Sequence, residues 1–222
     1  MGEQIQLTAA DGHQLSAYKA DPAGTPKGGI VVIQEIFGVN AHIRNLVDQY
    51  AVQGYAAIAP AFYDRAERDA DLGYADEDRK KGMELRSQIE REMAVNDMTA
   101  GADALNLNGK VGVVGFCWGG QLAWIGADCG RFQAAVTYYG GGIDALLDLD
   151  PKCPVMMHFG EADQGITMDK VEAIKAGGTG AQIFTYPDAQ HGFVCDERPS
   201  FQAEATNSAG QRSLDFFAQN LS

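Results

Sequence analysis

The chain has 222 residues, with 17 Lys and Arg against 30 Asp and Glu, a formal net charge of −13. So acidic a chain has no broad positive field for nucleic acid or anionic lipid, and an anionic small substrate would need local arginines against the global field. Hydrophobic residues at 45 % and charged residues at 21 % fit a globular domain, and no stretch reaches the roughly 18 apolar residues of a membrane helix.

The four cysteines, Cys117, Cys129, Cys153 and Cys195, form no C-x-x-C pair, which argues against zinc and a disulfide scaffold and for a reducing compartment. Residues 1–6 lack the basic start and apolar run of a signal peptide, so the cytoplasm is the expected location.

In chain order, residues 5–8 and 14–19 alternate in polarity around Asp11-Gly12 and read as a β-hairpin. Residues 29–34 form a short continuous apolar run, a strand buried on both faces. A helix with Ile43, Leu46, Val47 and Tyr50 on one face stops at Gly54, and a second buried strand covers 55–59. Residues 61–109 are polar, a loop and then charged helical turns around 76–92, before a helix over 93–107 that finishes at Asn108-Gly109.

A strand over 110–114 leads through a glycine-rich corner into an apolar helix over 121–127. Strands follow at 134–138, 155–159 and 182–186, with a helix over 168–176 and an amphipathic C-terminal helix carrying Leu214, Phe217 and Leu221. Alternating strands and helices predict a single α/β domain: a mostly parallel, doubly wound sheet with an antiparallel N-terminal hairpin.

The corner Gly115-Phe-Cys117-Trp-Gly119-Gly120, between strand and helix, fits the nucleophile elbow G-x-S-x-G with cysteine in the serine position. Flanking glycines permit the sharp turn, and the helix N-terminus favours a thiolate. Past the ends of two later strands lie Asp163, in Gly160-Glu-Ala-Asp163, and His191, in His191-Gly-Phe193. Nucleophile, acid, histidine is the chain order of α/β-hydrolases, with His191 as the base and Asp163 holding its tautomer. His13 and His42 are expected at the surface, and Cys129 and Cys153 in structural roles.

Together with Gln34-Glu-Ile-Phe-Gly-Val-Asn40, these motifs resemble the dienelactone hydrolase (carboxymethylenebutenolidase) family along nearly the whole chain. The resemblance implies the α/β-hydrolase fold and a cofactor-free, metal-free cysteine hydrolase of lactones or esters. In that reading Cys117, Asp163 and His191 form the triad, and Glu35 meets the thiol when substrate binds. The backbone N–H groups of Ile36 and Trp118 form the oxyanion hole. Arg79 matches one of two arginines that grip the substrate carboxylate, and Tyr63 and Tyr139 line the cleft. The second arginine falls where this chain has Cys195, with Arg198 three residues on.

A thiol cannot replace a guanidinium clamp. The alternatives are therefore a general carboxylesterase or thioesterase of the same fold, or a non-enzymatic reactive-thiol sensor. A monomer acting on a small molecule, without nucleic acid or membrane partners, is expected.

Overall fold

The computed structural model describes residues 2–107 and 110–221. Asn108 and Gly109, the expected helix stop, lie outside the described residues. The N-terminal hairpin pairs β1 (Glu3–Thr8) with β2 (Gln14–Ala20) in antiparallel register. It joins an eight-stranded sheet through β2, which runs antiparallel to β4 (Ala56–Pro60).

From β4 onward every pairing is parallel, through β3 (Gly29–Ile33), β5 (Val111–Phe116), β6 (Ala134–Tyr138), β7 (Val155–Gly160) and β8 (Gln182–Tyr186). The order β1-β2-β4-β3-β5-β6-β7-β8 is that of a doubly wound sheet with the hairpin at one edge. β3 to β7 are buried throughout, as their continuous apolar runs require, whereas β8 is partly open at the other edge.

Among the described residues six α-helices cover the sheet: α1 (Ala41–Val52), α2 (Asp76–Arg86), α3 (Arg91–Leu105), α4 (Trp118–Asp128), α5 (Met168–Ala176) and α6 (Ala203–Asn220). Asn40 caps α1, its side chain accepting the Ile43 N–H at 3.2 Å. α2 carries Asp76, Glu77 and Asp78 in its first turn and Arg86 in its last, matching the helix dipole.

The charged stretch expected around 76–92 divides in two. The N–H groups of Gln88 and Ile89 turn back onto the carbonyls of Leu85 and Arg86, closing α2 before α3 begins. α4 starts three residues earlier than its apolar pattern indicates, because the Cys117 carbonyl already accepts from Gly120 and Gln121. Among the described residues, no helix is long and apolar enough to cross a membrane.

Candidate active site

The elbow is built by close approach. A Cβ on Gly115 would lie 1.8 Å from the Gly119 carbonyl oxygen, and one on Gly119 would lie 2.5 Å from the carbonyl oxygens of Ile33 and Gln34. Only glycine lets α4 leave β5 so sharply and pack on β3. Between them Cys117 is held at φ 56° and ψ −116°, a conformation that costs a non-glycine residue roughly 1–3 kcal/mol. Its N–H donates to the Tyr138 carbonyl at 3.0 Å, tying the elbow to the neighbouring strand.

Two further strand ends bring up the partners. The loop after β7 buries Asp163, whose Oδ1 accepts the N–H groups of Gly165 (2.8 Å) and Ile166 (3.1 Å). Its Oδ2 lies 2.7 Å from His191 Nδ1, in the loop after β8. Burial pushes the Asp163 carboxyl up, but His191 and the two backbone donors outweigh it and hold the group below its usual range. Burial likewise pushes His191 down, yet the hydrogen-bonded contacts with Asp163 and Cys117 raise it to about 10. The ring stands 5.0 Å from Tyr139.

Glu35 is fully buried after β3, and Arg198 reaches it, Nη1 to Oε1, at 3.5 Å. Neither Glu35 oxygen makes a hydrogen bond among the described residues. The Arg198 guanidinium passes against the backbone of Gly192, the residue after His191: a Cβ there would come within 2.2 Å of its Nη1. Phe37 and Tyr74 flank it with ring centroids at 6.0 and 5.8 Å. Cys195, where the resemblance asks for an arginine, is buried beside Tyr74, and burial pushes its thiol up to about 11. Arg198, three places on from Cys195, is the arginine that reaches Glu35.

The expected oxyanion donors are free: among the described residues the N–H groups of Ile36 and Trp118 donate to no carbonyl or side chain. α2 presses on this loop, since a Cβ on Gly82 would sit 1.9 Å from the Ile36 carbonyl oxygen. Tyr63 locks the same contact by donating to the Gly82 carbonyl at 2.9 Å, and its ring stacks on Trp118 at 5.7 Å. Burial first, and then the Cys117 charge, push the Tyr63 hydroxyl far up, whereas Arg86 pulls it down. Tyr139 is buried at φ 39°, its hydroxyl without a hydrogen bond among the described residues.

Arg79 stands apart from this group. Its side chain is 61 % exposed and pairs at 3.9 Å with Asp76 on its own helix. The α2 arginine that borders the site is Arg86, which donates to Gln121 of α4 at 3.4 Å. No carboxylate pairs with Arg86 among the described residues. Its place in the last turn of an exposed helix reads from sequence as dipole compensation, so only the packing of α2 over α4 reveals it.

His42 corrects an expectation. It is buried rather than at the surface, edge-on to Phe116 at 6.4 Å, with Nδ1 3.8 Å from Asp196. At the first turn of α1 its polarity suggests solvent, but the 195–198 loop folds over it. Cys129, expected in a structural role, is exposed. Among the described residues no group of three or more His, Cys, Asp or Glu could hold a metal ion. An apolar groove of about 350 Å³ between α1 and α6 is floored by Phe116 and Tyr138 and contains no triad residue, so chemistry rather than volume marks the site.

A parallel sheet with an elbow after β5, an acid loop after β7 and a histidine loop after β8 defines an α/β hydrolase. The chain matches the dienelactone hydrolase family over residues 15–221, and it belongs to that family. It is 36 % identical to the carboxymethylenebutenolidase of Pseudomonas putida over 227 residues, covering 97 % of this chain and 96 % of that one. A protein of Synechocystis sp. with the same name, given provisionally, is 36 % identical over 228 residues, covering 94 % and 93 %. A crystal structure from Klebsiella pneumoniae, provisionally named a dienelactone hydrolase, superposes with a TM-score of 0.85 at 31 % identity over 99 % of each chain. The chain is thus a hydrolase acting on ester or lactone bonds.

Proposed function

We propose that this hydrolase opens a lactone or ester through a Cys117 thioester. The observation that carries the reading is the 2.7 Å contact of His191 Nδ1 with an Asp163 carboxylate clamped by two backbone donors. That contact leaves the other ring nitrogen for the thiol. His191 takes the thiol proton, with Glu35 as the second acceptor when substrate draws Arg198 from it. The thiolate attacks the carbonyl carbon and the N–H groups of Ile36 and Trp118 hold the oxyanion. The carbon–oxygen bond to the leaving group breaks, and His191 protonates the departing enolate or alkoxide. His191 then takes a proton from water, the hydroxide attacks the thioester, and the thiol regains its proton as the acid leaves.

The substrate's own negative group is best met by Arg198, beside Glu35 and Gly192, and by Arg86, which pairs with no carboxylate among the described residues. Arg79 sits too far out on α2 for that role, as its exposed pairing with Asp76 indicates. Tyr63 and Tyr139 supply the walls. The burial of Cys195, where an arginine is expected, favours a second reading in which neutral esters or thioesters are the better substrates.

Cys117→Ala is expected to lose essentially all turnover of an enol-lactone and of p-nitrophenyl acetate. Wild-type enzyme quenched in acid early in turnover should carry the acyl group on the Cys117 peptide by mass spectrometry. Retained turnover in the variant refutes the mechanism, and the ratio of the two substrates' kcat/KM separates the readings.

A further inference from the structure

Beneath the triad runs a chain of buried side chains that the chemistry above does not use. Arg212 of α6 donates to the Tyr186 hydroxyl at 3.0 Å, which lies 2.8 Å from His158 Nδ1. His158 Nε2 lies 3.1 Å from Ser213 Oγ, and Ser213 lies 2.7 Å from the Tyr138 hydroxyl. Tyr138, His158, Tyr186 and Ser213 are each at most 5 % exposed.

The direction of the chain follows from donor chemistry. Arginine only donates, so the Tyr186 oxygen accepts from Arg212 and its hydrogen goes to His158 Nδ1. The His158 proton is therefore on Nε2, pointing at Ser213. Burial, and then the Arg212 charge, push His158 down to about 3, so the ring stays neutral at ordinary pH.

The three strand residues in this chain also hold the site through their backbones. The Tyr138 carbonyl accepts the Cys117 N–H at 3.0 Å, and the His158 carbonyl accepts the Tyr139 N–H at 2.8 Å. The Tyr186 carbonyl accepts the Glu161 N–H at 2.9 Å, at the start of the acid loop. Tyr138 and Tyr186 close β6 and β8, and His158 lies two residues before the end of β7; Tyr138 pairs with His158 and Tyr186 with Gly160. One linked set of side chains thus joins the carbonyls that anchor the nucleophile elbow, the Tyr139 wall and the Asp163 loop.

We propose that Ser213, His158 and Tyr186, locked by Arg212, are positioning residues that couple α6 to the register of the nucleophile elbow, the Tyr139 wall and the Asp163 loop. The proposal rests on the reading of Cys117, Asp163 and His191 as the triad. Misplacement of reacting groups by about 1 Å costs on the order of 10²-fold, so even partial slack is measurable.

Ser213→Ala and Tyr186→Phe are assayed as folded proteins, at a temperature well below each variant's Tm. Each is expected to lower kcat about tenfold or more with KM within about twofold, and to move the His191 titration away from its value near 10. The double variant should lose about as much as the worse single one, because both break the same chain. Unchanged kcat in folded variants, or losses that multiply, would overturn the proposal. Nitrogen-15 NMR of wild-type protein supplies a test without any variant: His158 should be the Nε2–H tautomer, and an Nδ1–H ring or an imidazolium refutes the chain's direction. Cys117→Ala tests the triad separately, since its failure to abolish turnover would leave the His158 tautomer untouched.

Discussion

At the scale of single residues, the proton on His191 is the most informative group in the molecule. Its value near 10 lies above the ordinary imidazole value of 6.5, so its pairing stabilises the fold fully below pH 6.5 and is lost as pH rises through about 10. Asp163→Asn removes the partner and leaves a buried imidazole that resists protonation. The Tm gap between wild type and Asp163→Asn should therefore be widest near pH 6 and close towards pH 10, as read by thermal denaturation across that range. A gap that widens with pH would mean that the ring is not held protonated by Asp163. Asp163 and His191 were legible in the sequence because each follows directly on an apolar strand. Arg198 was visible as the nearest arginine after Cys195, but its direction was not, because its loop has no periodicity from which to read one.

At the scale of elements, α2 bears through Gly82 on the Ile36 loop, an oxyanion donor in the proposed mechanism. Among its residues only Gly82 and Leu85 are buried, yet Gly82 lies against the Ile36 carbonyl and is tied to Trp118 through Tyr63. Gly82→Ala would place a methyl group 1.9 Å from that oxygen. Backbone on both sides resists, so the Ile36 peptide must turn. Loss of one oxyanion donor costs on the order of 10²–10³ in rate, and rapid-quench measurement of acylation should show a fall of that order. A fall of less than twofold would remove Ile36 from the oxyanion role.

The strands were read to within two residues, since short runs such as Gly29–Ile33 and Ala56–Pro60, apolar with β-branched centres, have few other folds. The boundary between α2 and α3 was read at 92–93 rather than over 87–90, because Ser87-Gln-Ile-Glu90 contains neither glycine nor proline and stops the helix only through its backbone turns. His42 was misjudged for a related reason: burial at a helix start depends on which distant loop covers it.

At the scale of the whole molecule, 13 excess negative charges oppose any anionic substrate before it meets Arg86 or Arg198. Screening shortens the reach of that field from roughly 30 Å at 0.01 M salt to roughly 8 Å at 0.15 M. Between those concentrations kcat/KM for an anionic enol-lactone should rise, and that for a neutral ester should stay constant. Arg86→Gln should lower only the anionic value, by roughly 10-fold or more for a lost charge-assisted contact, at both salt concentrations. Equal losses for both substrates would exclude Arg86 from anion recognition. The net charge was plain from composition alone, whereas the placement of Arg86 beside Gln121 and of Arg198 beside Glu35 depends on how α2 and the 195–198 loop pack.

The backbone at Cys117 has a consequence for how this enzyme can change. Its positive-φ geometry is set by glycine packing on either side and by the Tyr138 carbonyl, all of them contacts of the backbone. The fold therefore fixes where a nucleophile stands while remaining indifferent to which atom it is. Exchange of sulfur for oxygen is a one-atom change that leaves the architecture intact and alters only the proton chemistry around it. A lineage carrying this elbow can pass between thiol and alcohol catalysis without ever passing through an unfolded ancestor.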